Sequence, residues 1–223
     1  MTFALMVTTY QHLLFGLIVG GLLGYSLCRL RTYGYQNRGE ARISKAIQAT
    51  FCPPDFHLLN HITLKLKDGT TQIDHILVSR FGIFVIETKE YNGWIFGGAK
   101  QATWTQVIFG RKFKFQNPIY QNMGHIQAVQ NLLDFLPSGA IKSMVVFVGK
   151  AEFKTARPQG VFSISELIQH LQTQTEDVLS INRVQFCVGR LETARLALTA
   201  ETDVQHVQNL ERKHGRKFQI KSE

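Results

Sequence analysis

Asp74, Glu87 and Lys89 are the residues of this chain whose types and spacing could do chemistry together. The runs QIDHILVS and GIFVIETK read as two strands, with a short turn around Arg80-Phe81-Gly82. A turn formed by Ser79 to Gly82 sets the opposed positions and places Asp74 directly across from Glu87. Lys89 lies two residues beyond Glu87 and points to the same face. Like charges opposed on a sheet are destabilising, and two carboxylates among Ile73, Ile76, Val85 and Ile86 need compensation. A divalent cation supplies it. Magnesium takes one or two protein carboxylates and keeps waters for phosphate oxygens. A neighbouring lysine can stabilise charge developing at phosphorus or orient the attacking water. The group fits metal-assisted phosphodiester hydrolysis, with Asp74 and Glu87 as metal ligands and Mg (or Mn) as cofactor. The same spacing also describes a structural ion-pair group at a sheet end. His75 follows Asp74, faces the other side of the strand and is not expected to share the metal.

The flanking elements must position this group. Residues 39–51 read as a helix with Ile43 and Ile47 as its apolar stripe, ended by Pro53-Pro54. Glu40 shares that stripe and can point inward, although a first-turn glutamate also complements the helix dipole. Residues 56–66 read as a strand closed by the Asp68-Gly69 turn, and short strands are expected within 94–115. Asn117-Pro118 starts a helix running to about Leu136 on Ile119, Met123, Ile126, Val129 and Leu133. Residues 143–149 read as a buried strand, and Ser163 with Glu166 as a capping box for a helix over about 164–172. A last strand is expected at 184–188, then helices at about 190–199 and 201–214. This order predicts an α/β fold with a mixed sheet.

The string TQIDHILVSRFGIFVIETKEYNGWIFG, with GE at 39–40 before it and NPIYQNMGHI at 117–126 after it, resembles the NERD (nuclease-related) domain. That family looks like a branch of the PD-(D/E)xK nuclease superfamily. The resemblance covers about residues 38–136. It implies a restriction-endonuclease-like core, a mixed central sheet flanked by helices, with a divalent metal. Position by position, Asp74 matches the metal-binding Asp, Glu87 and Lys89 match the ExK pair, and Glu40 matches the acid on the first helix. The motif match also makes Gln121 a candidate for orienting water or phosphate. His125, four residues on, could do the same or simply cap a core edge, the second being the preferred reading. Residues 137–223 are read from local pattern alone, as a C-terminal α/β extension with a basic tail.

The chain has 223 residues and a net charge of +9, which suits a polyanionic partner. A 44% hydrophobic share excludes wholesale disorder, and three scattered cysteines lack the spacing of a disulfide framework or zinc site. There is no phosphate-loop sequence. Residues 91–133 contain no Asp or Glu but carry Lys100, Arg111, Lys112 and Lys114, interleaved with Phe109, Phe113 and Phe115. These basic residues are the expected nucleic-acid contacts, DNA first, although alternation also describes a solvated hairpin face. Trp94 and Trp104 are read as packing residues. Arg212, Lys213, Arg216, Lys217 and Lys221 could touch DNA or anionic lipid.

Residues 1–28 hold no Lys, Arg, Asp or Glu. The span at about 10–28 suits a transmembrane helix, placing an anchor at 1–30 and a juxtamembrane linker at 31–37. A signal peptide would want a basic start, which is missing. Arg29, Arg31, Arg38 and Arg42 follow the span, so the positive-inside rule places residues 29–223 in the cytoplasm of a single-pass protein at the cell membrane. Gly16, Gly20 and Gly24 share one helix face, which permits a homodimer. The expected function is a membrane-anchored, metal-dependent nuclease. The alternative is a catalytically silent module binding nucleic acid or protein at the membrane.

Overall fold

The structure, a computed structural model, describes residues 37–199 continuously, together with positions 16, 19, 20, 201, 202, 204 and 206–208. Of the expected anchor only positions 16, 19 and 20 are described, and Gly24 and the basic tail at 211–221 lie outside the described residues. Among the described residues, no helix is long and apolar enough to cross a membrane.

Helix α1 (Arg38–Thr50) begins where Asn37 caps it, accepting the Glu40 N–H at 3.0 Å. Strands β1 (Phe56–Leu66), β2 (Gly69–Ser79) and β3 (Gly82–Glu90) follow as an antiparallel meander. Next come β4 (Gly93–Phe96), β5 (Thr103–Ile108) and β6 (Arg111–Gln116), then helix α2 (Pro118–Leu132). Strand β7 (Ile141–Val148) returns parallel to β3. Short strands β8 (Ala151–Phe153) and β9 (Val161–Phe162) and helices α3 (Ile164–Gln172) and α4 (Ile181–Ala194) complete the described part.

The mixed α/β expectation holds, with one elaboration: there are two mixed sheets. The central one has the order β1-β2-β3-β7-β9, and the second has β6-β5-β4-β8. Ile43 and Ile47 of α1 pack with Leu167 and Leu171 of α3 on one face of the central sheet. Val129 and Leu133 pack with Val184, Cys187 and Leu191 of α4 on the other. Trp104, Ile95 and Phe147 fill a third core under the second sheet.

Expectations fail in α4 and on α2. Residues 184–188 are not a strand but the middle of α4, which ends at Ala194. The separate helix expected over about 190–199 therefore does not form: its first half is the end of α4, and Arg195 instead bridges to Leu64 of β1. Ser180 caps α4 at the Arg183 N–H, and Val184, Cys187 and Leu191 bury at helical spacing. A five-residue apolar window cannot separate strand from helix; the cap upstream does. The stripe expected on α2 holds at Ile119, Ile126, Val129 and Leu133, which pack against the cores, but fails at Met123. Met123 is exposed, whereas Asn122, His125, Ala128 and Val129 are buried. Between Asn122 and His125, α2 faces polar groups at the sheet end, so its inward residues there are themselves polar.

Alternation along β1 and β2 breaks at one place. Leu58 and Leu77 pack on the α1 side, but Leu59, Ile62, Ile73 and Ile76 all pack on the α2 side. Each strand therefore slips its facing by one residue. The slip falls at the gap in the ladder between Asn60↔His75 and Ile62↔Ile73, where His61 has a positive φ of 54°. Asp74 sits at that gap.

Candidate active site

The β2–β3 ladder has the expected register, from Ser79↔Gly82 up to His75↔Ile86. It stops one step short of Asp74 and Glu87. The Asp74 carboxylate takes over there, its Oδ2 accepting the Thr88 N–H at 2.7 Å. Asp74 is thus fixed to the end of β3, beside Glu87.

Glu87 is buried and fully engaged. Its Oε1 accepts Lys89 Nζ at 2.6 Å, and its Oε2 lies 3.1 Å from His125 Nε2. An ionised carboxylate only accepts, so His125 Nε2 carries the proton. In the neutral ring, Nδ1 is left to accept from the Thr71 hydroxyl, 2.8 Å away. Lys89 Nζ also donates to Gln121 Oε1 at 3.0 Å. Gln121 therefore reaches the site as expected. His125 does too, contrary to its preferred reading as a core-edge cap. The Gln121/His125 spacing of four residues was the available signal, because it sets both on one helix face.

Two devices hold the helices in place. Asn117 is fully buried; its Oδ1 accepts the Ile119 N–H, and its Nδ2 donates to Gln101 O at 2.7 Å and Ala99 O at 3.2 Å. This ties the start of α2 to the loop entering β5. Asn122 Nδ2 contacts Val85 O, Ser143 Oγ and Met144 O at 2.8–3.1 Å, docking α2 on the central strands. On the other side, the Gly39 N–H donates to Glu90 Oε2 at 3.1 Å. A Cβ at Gly39 would stand 3.0 Å from Glu90 Cβ, so glycine lets α1 approach the end of β3.

That approach delivers Glu40. Its Oε1 is bonded by Asn37 Nδ2, while its Oε2 is buried with no hydrogen-bond partner. Burial, reinforced by the charge on Glu87, pushes its carboxyl up to about 7 against the lowering effects of Asn37 and Lys89. Asp74 is pushed well above the ordinary carboxylate range, first by burial, then by Glu87 and Glu40. Burial would raise Glu87 too, but the His125 hydrogen bond and the Lys89 charge outweigh it and hold Glu87 low. Three carboxylates thus feel one another, and one lysine stands among them.

His75 keeps out of this group, as its parity predicts. It is fully buried, with Nδ1 2.8 Å from Asn60 Oδ1, and burial lowers its ring to about 3, so it is neutral. Lys100, Arg111, Lys112 and Lys114 are all exposed, the last three on β6 at the edge of the second sheet. Trp104 is buried, as a packing residue should be, but Trp94 is 49% exposed. Its expected packing role is not what the fold gives it.

The model of the nuclease-related domain (NERD) matches residues 35–148, which include every residue of the carboxylate group, Lys89, Gln121 and His125. The chain belongs to the NERD family. An uncharacterized protein of Bacillus anthracis is 31% identical over 188 residues, covering 82% of this chain and 87% of that one. No solved structure matches the chain. The NERD match runs past α2 through β7, the strand that pairs with the ExK strand β3.

Proposed function

We propose that this NERD protein is a divalent-metal-dependent nuclease that hydrolyses phosphodiester bonds, DNA first, and that an N-terminal helix tethers it to the cell membrane with residues 29–223 in the cytoplasm. The observation that carries the catalytic part is a charge imbalance. Glu40, Asp74 and Glu87 lie close enough to repel one another, Lys89 offsets one charge, Glu40 Oε2 is buried without a hydrogen-bond partner, and burial first, then this repulsion, raises the Glu40 and Asp74 carboxyls.

Mg (or Mn) fits this donor set. Glu40 Oε2 is buried and unpartnered, and hard oxygen donors suit a hard cation. Among the described residues no three His, Cys, Asp or Glu side chains form a ready-made cage. Magnesium does not ask for one, since it binds through one or two carboxylates and retains waters. Asp74 and Glu87 would hold the metal, with Glu40 beside them. When bound, the cation supplies charge neutralisation at a phosphate oxygen and acidifies a water.

This chain's own residues do the rest. Lys89, with no lone pair to give a metal, presents an ammonium to the developing phosphoryl charge. Gln121 orients Lys89 and has an amide N–H₂ for water or phosphate. His125 fixes the Glu87 carboxylate from behind. The test combines thermal denaturation with a cleavage assay. Mg²⁺ or Mn²⁺ is expected to raise the Tm, by about 2.7 kcal/mol in stability at a hundredfold excess over Kd. Asp74→Asn should lose most of that response. An unchanged response in both Asp74→Asn and Glu87→Gln would move the metal elsewhere. A wild-type protein that binds DNA but cuts none with any divalent metal would leave the tethering module as the better reading.

A further inference from the structure

The outer face of the second sheet carries a pattern the carboxylate site does not use. Its register sets two rows of side chains across one face. One row runs Lys112, Val107, Trp94, Glu152; the other runs Lys114, Thr105, Phe96. The opposite face carries Ile95, Trp104 and Phe115 into the core. Trp94 and Phe96, 49% and 37% exposed, therefore stand side by side on an open sheet, about 7 Å apart along the strand. Lys112 and Lys114 flank them two strands away, roughly 10 Å off. Lys154 stands over the Trp94 ring, its Nζ 5.0 Å from the centroid, and also pairs with Glu152. Glu152 is the one acidic residue in the two rows.

Trp94 and Phe96 keep large parts of their rings open to solvent in the middle of a sheet, Trp94 under the Lys154 ammonium, and most of the charge around them is positive. We propose that this face is a platform for single-stranded nucleic acid, with unpaired bases stacking on Trp94 and Phe96 and phosphates meeting Lys112, Lys114 and Lys154. A duplex hides its base faces in its own stack, and only unpaired bases offer them to an aromatic ring. A base settling on Trp94 displaces the Lys154 ammonium toward the phosphate, so the same lysine serves both states. The platform is near the carboxylates in the chain. Trp94 lies five positions after Lys89, so their Cα atoms are at most about 18 Å apart. The inference rests on the nuclease reading for its purpose, because it names the strandedness of that enzyme's substrate, but not for its test.

The test uses the full-length protein with EDTA, fluorescence anisotropy of a labelled oligothymidylate, and a duplex of equal length as comparison. Trp94→Ala and Phe96→Ala should each weaken oligothymidylate binding on the order of tenfold, Trp94→Phe should restore most of it, and duplex binding should move little. Both side chains are exposed, so the variants should keep the wild-type circular dichroism spectrum. Equal binding by a folded Trp94→Ala/Phe96→Ala protein, or no oligothymidylate binding by wild type, overturns the platform. So does a double variant that loses phosphatidylserine vesicles while keeping the oligonucleotide, which would make the face a lipid contact. Cleavage is read separately with Mg²⁺. Cutting without platform-dependent binding leaves the nuclease reading intact and removes this one; platform-dependent binding without cutting does the reverse.

Discussion

Glu40 holds its proton up to about pH 7, against an ordinary value of 4.5. Between those values the native state binds more protons than the unfolded chain, so the stability of metal-free protein falls as pH rises through the window. Asp74, shifted in the same direction, adds to that fall. Glu87, shifted down, works the other way: its contribution is present above the ordinary carboxylate pKa and is lost as pH drops through its lowered folded value. With EDTA present, thermal denaturation should therefore show a lower Tm near pH 8 than near pH 5, and Glu40→Gln should flatten the difference. The same substitution should weaken the Mg²⁺-induced rise in Tm. A steep decline that survives in Glu40→Gln would assign the pH dependence to another group. Lys89→Ala should behave differently, keeping the metal response while cleavage drops on the order of a hundredfold or more. Loss of the metal response along with activity would mean that Lys89 builds the site and does not act in it.

Helix α2 shows why an element can be found in a sequence and its facing still be misread. Its start at Asn117-Pro118 and most of its length are legible, because cap chemistry is local. Its inward facing at Asn122 is not, because hydropathy ranks Met123 above Asn122, and only the tertiary fold reveals that the neighbours are backbone carbonyls. Asn122→Ala should cost about 1–3 kcal/mol in urea denaturation, since it strips a donor from the buried Val85 and Met144 carbonyls. Met123→Ala should stay within about 0.5 kcal/mol. Equal costs would mean that the helix docks by its apolar residues after all. The β2–β3 hairpin was legible to the residue, because its short turn fixes register. What could not be read was the slip at His61 and Asp74, where the period of two fails and the ladder opens. The sequence likewise placed Glu40 on the right helix face, while the contact of Gly39 with Glu90 that delivers it depends on residues far apart in the chain. His125 was visible as a partner of Gln121 in spacing, but its bond to Glu87 joins α2 to β3 and leaves no local trace.

At the scale of the whole molecule, two kinds of membrane attachment are open to this chain, and salt separates them. The charge-free stretch 1–28 would hold by hydrophobic insertion, whereas the net charge of +9, with exposed Arg111, Lys112 and Lys114, would hold by attraction to anionic lipid. Electrostatic attachment is screened: the Debye length falls from about 10 Å at 0.1 M salt to about 3 Å at 1 M. Insertion of an apolar helix is indifferent to salt. Residues 36–223 form one compact unit by themselves, so the two parts can be tested apart. The full chain is expected to sediment with membranes in high salt and to resist alkaline carbonate, while residues 36–223 stay in the supernatant. Protease added to intact cells should spare the carboxyl terminus and reach it only after lysis, because the arginines that follow the apolar stretch favour the cytoplasmic side. Release of the full chain by salt alone would transfer the attachment to the basic surface. Release by carbonate, with residues 36–223 equally soluble, would remove the anchor and leave a nuclease-related protein without a fixed address.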